Sequence, residues 1–473
     1  MRDTNVIALP IAQRGSSLPI YFCRALLAVL CSLALVDPAW CQPTKGKDKT
    51  PSTKAATKAA TKAASGAMTA NPDSETLPAD YVPPKEKDPL FDLDMPIALP
   101  DELVRLKNED GKFQPVLNKA LSDEASKTVI RNGIRYRLAQ MCQAENFKTE
   151  NLHKLYDMRV KLRSYLNNAG SAAKELKPND LKNFRLFVMQ EFVKQATPLL
   201  ENNLYVRVQI VFLMGELELV QENTQKAVSV EAFTPVFDPL VKAILDPKQP
   251  ESVKLVAVNA LARVLKIGTP NVNERTKIAE AMIAELAKPN THWWYQMRLA
   301  GALGTAVLDQ GKQPIVVTAL KGVVNDPKRE WSVRTEAAMA LGRVPLTPAS
   351  DPSSVVRAIA ELTLQLAKTA QQKPGDLKWK TEFWKVYLAF RPLNEKDKDA
   401  AKKEKAGLLN NVLAAGVAKP PYDLIVPMVS AMRNGERLTA AQIAALEAWV
   451  KDNTPAGGAP KPQPVEPEGP AQQ

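Results

Sequence analysis

The chain has few of the residues that most enzymes and metalloproteins use. Its 473 residues include two histidines, His153 and His292, four cysteines, and only 6% aromatic side chains. The sequence contains no Cys-x-x-Cys-His, His-Glu-x-x-His or Gly-x-Ser-x-Gly motif, and no phosphate-binding glycine loop. The composition therefore predicts no catalytic residue, no metal site and no cofactor, and it favours a binding role.

The first 41 residues resemble a targeting segment and hold three of the four cysteines, Cys23, Cys31 and Cys41. Their apolar run, Ala25 to Val36, would be about 18 Å long as a helix, against a hydrocarbon core of about 30 Å. Residues 1–41 are predicted to be a signal peptide that directs export to the periplasm or cell envelope. An uncleaved amino-terminal membrane anchor is the alternative. Cys142, the remaining thiol, is predicted to be buried and inert.

Residues 42–100 contain too few apolar side chains to form a core, so they are predicted to be a disordered tether. The first half is built from Thr-Lys-Ala-Ala units, and the second half is rich in proline and aspartate. An anionic envelope polymer could bind the lysines of the first half, whereas specific binding of nucleic acid is not expected. A solvated spacer is the alternative. The lysines are Lys45, Lys47, Lys49, Lys54, Lys58 and Lys62.

The strongest pattern is internal repetition with a period of about 40 residues. Leu245 to Val264 (LDPKQPESVKLVAVNALARV) and Asn325 to Val344 (NDPKREWSVRTEAAMALGRV) lie 80 positions apart and are identical at ten of twenty positions. A third copy, WWYQMRLAGALGTAV, begins between them at Trp293. One basic or amide position recurs through the copies, as Arg207, Lys254, Gln296 and Arg334.

Each copy resembles a HEAT repeat: a first helix, a turn opened by Asp-Pro, a Val-Arg or Val-Lys pair, and a second helix ending in Ala-Leu-Gly or similar. Helical periodicity continues from residue 101 to 453 without sustained strand-like alternation. The predicted fold is all-α, an α-solenoid of HEAT-like helical pairs with disordered N- and C-terminal tails, the latter at 454–473. Repeats are clearest over 205–344, and the flanking helices are predicted to be divergent or capping units.

The resemblance implies a scaffold that binds a protein partner of unknown identity on the surface of the stacked pairs. Some HEAT-like proteins are enzymes, including lyases, so a HEAT-like enzyme is a second alternative after polyanion binding through the basic segment. Nothing in this sequence matches the functional residues of those enzymes.

Two positions of each copy are candidates for a structural ladder. In HEAT-type families, an Asp in the turn and a basic residue opening the second helix often connect adjacent units. Here the candidate pairs are Asp246 with Lys254 and Asp326 with Arg334, and each pair is separated by eight residues, two more than usual. We expect a packing or turn-fixing role, with ligand contact as the alternative.

Small side chains recur where the second helices of neighbouring units would have to approach closely. We therefore predict that they lie at helix contacts in the core. They are Ala257, Ala260, Ala302, Ala337, Ala340 and Gly342.

The densest aromatic cluster lies at the start of the third copy, in Thr291-His292-Trp293-Trp294-Tyr295. Adjacent side chains on a helix cannot all face one core, so at least one ring should be partly exposed. Trp293, Trp294 and Tyr295 are therefore candidates for a platform that binds a peptide or glycan. The alternative is a helix start wedged against the preceding unit.

Overall fold

The computed structural model describes residues 91, 93, 95–288, 290–372, 376–392 and 406–454. The predicted signal peptide, the basic part of the predicted tether with its six lysines, and nearly all of the predicted carboxy-terminal tail lie outside the described residues. The description below concerns the described residues alone.

Helices account for most of these residues, which confirms the all-α prediction. In chain order they are α1 (Pro100–Glu109), α2 (Phe113–Lys119), α3 (Glu124–Met141), α4 (Leu152–Asn167), α5 (Pro178–Ala196), α6 (Leu204–Glu216), α7 (Phe237–Leu245), α8 (Glu251–Ile267), α9 (Val272–Leu286), α10 (Trp293–Leu303), α11 (Gln313–Asn325), α12 (Trp331–Leu341), α13 (Pro352–Gln372), α14 (Lys378–Phe390), α15 (Ala415–Asn434) and α16 (Ala440–Asp452).

The helices contact one another in two rows. In the first row, α4, α6, α8, α10, α12 and α14 each pack against the next, and α14 packs against α15. In the second row, α7, α9, α11 and α13 do the same, and α13 packs against α15 and α16. Consecutive helices such as α7 and α8, or α11 and α12, connect the rows. Because each contact is made with a near neighbour in sequence, the core extends continuously along the rows.

Small residues occupy the crossings of the first row, as predicted. Ala257, Ala337 and Ala340 are buried. A Cβ atom added to Gly304 of the α10 terminus would lie 2.9 Å from the Cβ of Ala340 in α12, and one added to Gly215 in α6 would lie 2.7 Å from a side-chain atom of α8. Gly215 and Gly304 occupy the same position in their copies, eight residues after Arg207 and Gln296. The repeated sequence therefore produces a repeated close crossing.

The last residues of the predicted tether pack against the helices, in contrast to the prediction. Asn203 donates from Nδ2 to the carbonyl of Phe91, and Asn202 Nδ2 donates to the carbonyl of Met95 at 2.8 Å. The ring of Phe91 lies edge-on to that of Tyr205, with centroids 5.2 Å apart. The boundary predicted at residue 100 therefore lies too far along the chain, because a few apolar side chains and backbone carbonyls suffice to seat this segment.

Two further details differ from the predicted helical pattern. Glu218–Val220 (β1) and Glu231–Ala232 (β2) form a short antiparallel pair between α6 and α7. These strands are too short to show periodic alternation in the sequence. Helix α15 continues through Pro420 and Pro421, although proline in a helix interior ordinarily breaks the helix. Among the described helices, none combines the length and apolar character needed to cross a membrane.

Candidate functional site

The aromatic cluster lies at the amino-terminal end of α10, and the local sequence fixes its orientation. His292 caps the helix, because its Nδ1 accepts a hydrogen bond from the backbone N–H of Trp294 at 3.2 Å. The backbone N–H of His292 donates to the carboxylate of Glu251 at 3.1 Å. These two contacts attach the start of α10 to the start of α8 and hold the cap in place.

The structure separates the three predicted binding residues into two groups. Trp293 is 43% exposed and Trp294 is partly exposed, whereas Tyr295 is 2% exposed. The ring centroid of Trp293 lies 5.5 Å from that of His292 and 6.5 Å from that of Trp294. His292, Trp293 and Trp294 therefore form an aromatic surface, called the aromatic platform below. Tyr295 belongs to the core beneath it.

Tyr295 is part of a buried polar network. Its hydroxyl donates to Glu285 Oε2 at 3.2 Å, and Lys254 Nζ donates to the same oxygen at 3.2 Å. Glu285 is 1% exposed, and its other carboxylate oxygen pairs with Lys288. Burial raises the pKa of the Tyr295 hydroxyl, and the adjacent Glu285 carboxylate raises it further. Lys254 thus pairs with the next helix of the second row, not with Asp246.

The predicted aspartates cap their own turns. Asp246 Oδ1 accepts from the backbone N–H of Lys248 at 2.8 Å, and Asp326 Oδ1 accepts from that of Lys328 at 3.0 Å. Arg334 donates to the Val324 carbonyl at 3.0 Å. The predicted Asp246–Lys254 and Asp326–Arg334 pairs are therefore replaced by other partners, because the eight-residue spacing lets each aspartate close its own turn.

The recurrent basic or amide position instead links each unit to the one that follows. Arg207 donates to Gln249 Oε1 at 3.2 Å, and Gln296 Oε1 accepts from Arg329 at 2.8 Å. Arg334 Nη2 donates to an amide oxygen of α13 at 2.7 Å. Burial lowers the pKa of the Arg207 and Arg334 guanidinium groups. Each recurrent side chain thus has a polar partner in the interior, which is the geometry of a structural connector.

A charged patch that sequence reasoning missed lies across α10, α12 and α14. Lys385 Nζ lies 3.4 Å from Glu336 Oε2 and 3.4 Å from Glu382 Oε2. Arg298 contributes a further positive charge near Glu336, and its Nε has no hydrogen-bond partner among the described residues. Burial raises the pKa of Glu336, while Lys385 opposes that shift. Arg298 and Glu336 each follow the recurrent position by two residues, and that shared spacing was the available signal.

The charged patch brings the carboxylates of Glu336 and Glu382 together, and each of them already has a hydrogen-bond or ion-pair partner. Glu382 accepts a hydrogen bond from Thr335, and Lys385 pairs with both acids. These charge interactions connect α10, α12 and α14. In the part of the chain that the structure describes, no group of three or more His, Cys, Asp or Glu side chains could hold a metal ion. Cys142 is buried, and burial raises the pKa of its thiol to about 12.

No family model, no curated protein and no solved structure matches this chain. The packing of the helices and the chemistry of their surfaces therefore provide the basis for the functional argument.

Proposed function

We propose that this chain is a non-catalytic protein-binding scaffold built from HEAT-like helical pairs, and that its partner contacts the aromatic platform. The observation that carries the proposal is the exposure of Trp293 at a fixed helix start, beside His292 and the partly exposed Trp294. Large exposed aromatic side chains are typical anchors of protein interfaces, because each buries a large area at a small cost in side-chain entropy.

The local structure supports a surface role for these rings. Tyr295 provides the buried aromatic anchor of α10, so the helix does not need Trp293 for its packing. The His292 cap and the Glu251 contact hold the platform rigid before a partner arrives. A pre-organised surface loses less conformational freedom on binding than a mobile one.

The experiment uses Trp293→Ala/Trp294→Ala in tagged full-length protein, with capture from the native cell envelope followed by mass spectrometry. We expect recovery of the specific partner to fall at least about tenfold while cooperative melting is retained. Trp384→Ala is the matched control, because Trp384 is 44% exposed on a different helix. Unchanged recovery, or loss of cooperative melting in the double variant, would contradict the proposal.

A second candidate function rests on the lysines between residues 42 and 70, which outnumber the acids there by six to one. In this proposal the basic segment holds the exported scaffold against an anionic envelope polymer. Deleting residues 42–70 should abolish salt-dependent binding to such a polymer, since released counterions drive the association.

The proposed export has its own test. An intact mass of the protein that corresponds to an amino terminus near Gln42 would support export with cleavage. Recovery of the full-length chain solely in detergent extracts would instead indicate an anchor.

A further inference from the structure

The aromatic platform is followed by a basic side chain one turn further along α10. Residues three or four apart on a helix lie on the same face, so Trp294, Met297 and Arg298 share one side of α10. All three side chains are partly exposed. The rise along the helix from Trp294 to Arg298 is about 6 Å. A partner that contacts the platform is therefore within reach of the Arg298 guanidinium.

The guanidinium of Arg298 has no acidic partner within the protein. In the part of the chain that the structure describes, it forms no hydrogen bond and no ion pair, and its Nε is buried without an acceptor. Glu336, the carboxylate that feels its charge, already pairs with Lys385 at 3.4 Å and also feels the charge of Arg343. The positive charge of Arg298 is therefore not used to hold α10 against α12.

The neighbours of Arg298 leave room for a ligand beside it. The next residue on this face of α10 is Gly301, where an added Cβ would lie 2.9 Å from Glu336 Oε1. Glycine lets the Glu336 side chain lie against α10, and no side chain of α10 covers Arg298 from that direction. Glu251, the acid of α8 at the platform, already accepts a hydrogen bond from the backbone N–H of His292.

A carboxylate is the group that this arrangement suits best. A guanidinium donates two parallel hydrogen bonds to a carboxylate, and such charge-assisted bonds are stronger than those between neutral groups. A buried N–H without an acceptor costs free energy, which an incoming carboxylate would recover. In an extended segment, side chains on one side recur at every second residue, about 6.6 Å apart. That spacing is close to the rise of about 6 Å between Trp294 and Arg298.

We propose that the partner presents an extended acidic segment, in which an Asp or Glu side chain pairs with Arg298 while an aromatic or aliphatic side chain two positions away lies on Trp293 and Trp294. This inference rests on the proposed function, because it names the chemistry of the partner at the same surface. The platform then provides the contact area, and Arg298 selects segments that carry an acid at the correct position.

Selection from a library of short random peptides tests the pairing on the immobilised full-length chain. The peptides are displayed with their carboxyl ends fused to the carrier, so that side chains supply the carboxylates. We expect the enriched peptides to carry Asp or Glu two positions from an aromatic or aliphatic residue. Arg298→Glu should instead enrich Lys or Arg there, and Arg298→Lys should keep the acid. A selected peptide should bind Arg298→Gln about tenfold or more weakly, since hydrogen bonds between charged groups are lost.

Matched variants separate this result from general effects of charge. Arg433 is an exposed arginine of α15 that also forms no hydrogen bond or ion pair with another described residue, so Arg433→Glu should select the same peptides as the wild type. Cooperative melting checks that each variant is folded, and Arg298→Gln serves if Arg298→Glu is not. Acids that stay enriched on Arg298→Glu or Arg298→Gln would overturn the inference, whereas loss of these peptides on Trp293→Ala/Trp294→Ala would still support the proposed function. Equal binding to the wild type and Trp293→Ala/Trp294→Ala, or no enriched sequence at all, would overturn both.

Discussion

The crossings of the repeated helices differ in kind from those of the amino-terminal helices. Where α10 meets α12, Gly304 lies against Ala340, and the opposing atoms include the backbone of α12. Where α2 meets α3, a Cβ on Gly133 would instead overlap the ring of Phe113. In the first region a small residue lets two backbones approach, and in the second it makes room for a large side chain. The distance between helix axes depends on the side chains at the contact, so the repeated crossings can share one geometry.

The polar connections differ in the same way. In the amino-terminal region, the guanidinium of Arg137 lies over the rings of Phe113 and Tyr165, at 4.1 and 4.6 Å from their centroids, and pairs with Asp110. Arg159 of α4 makes the same kind of contact, over two rings and paired with Glu216. In the repeated region, a side chain at one recurrent position reaches the next unit each time. The amino-terminal helices therefore use arginines stacked on two rings, and the repeated helices use a side chain at one recurrent position.

The largest expected effect concerns the buried connection of the repeated region. Glu285→Leu should lower the free energy of unfolding by about 3–5 kcal/mol, because it leaves the buried ammonium of Lys254 without its partner. Urea denaturation measures the change. Arg105→Ala, which breaks the exposed Arg105–Glu109 pair of α1, is the control and should be nearly silent. Equal effects of the two variants would show that the recurrent connection is not important for stability.

The close crossing gives the second prediction. Ala340→Leu should cost about 1–3 kcal/mol through overpacking, because Gly304 already lies against this position. Thermal melting measures the loss. Lys328→Ala on the exposed turn of the same unit should leave the melting temperature unchanged. A silent Ala340→Leu would mean that the assigned register of α10 against α12 is incorrect.

A rescue experiment sharpens the comparison of the two regions. Gly133→Ala forces the Phe113 side chain to move, so adding Phe113→Leu should recover part of the loss. We expect a coupling free energy of about 0.5–3 kcal/mol in this double-mutant cycle. Where α12 meets α14 in the repeated region, Gly342→Ala places a Cβ against the backbone of Ala389. Ala389→Gly should therefore rescue little of the lost stability. Similar rescue at both sites would remove the distinction.

Much of the repeated region could be predicted from sequence, because its signals are local and recur. The burial of Ala257, Ala337 and Ala340 follows from their recurrent spacing. The partners of Lys254 and Arg334 each lie 31 residues further along the chain. They could not be predicted, because one is the acid Glu285 and the other is the amide Gln365, and no shared residue type marks the position. The packing of Phe91 depends on asparagines more than 100 residues away. Which ring of Trp293, Trp294 and Tyr295 is buried depends on the phase of α10, which the His292 cap fixes.

The charged patch gives a smaller effect that depends on pH. The pKa of Glu336 is raised by burial from its ordinary value of 4.5, so the folded state binds this proton more tightly than the unfolded chain. The stability it contributes is therefore present below the unfolded pKa and is lost as the pH rises through the folded pKa. Relative to Glu336→Gln, the wild type should gain free energy of unfolding as the pH falls through the folded pKa toward the ordinary value of 4.5. A difference that is independent of pH would contradict this.

The smallest change in the free energy of unfolding is expected at the aromatic platform. A small change there would separate a surface role of Trp293 from a role in the core. Trp293→Ala should change the free energy of unfolding by about 0.5 kcal/mol or less, because the ring is 43% exposed and α10 keeps its cap and its buried Tyr295. Tyr295→Phe, two residues further along α10 and in the core, should cost about 1–3 kcal/mol, since Glu285 loses a hydrogen-bond donor in a buried site. Denaturation of both variants under one set of conditions measures the contrast. If Trp293→Ala proves the more costly, the indole supports the fold, and a partner contact is no longer needed to explain its position.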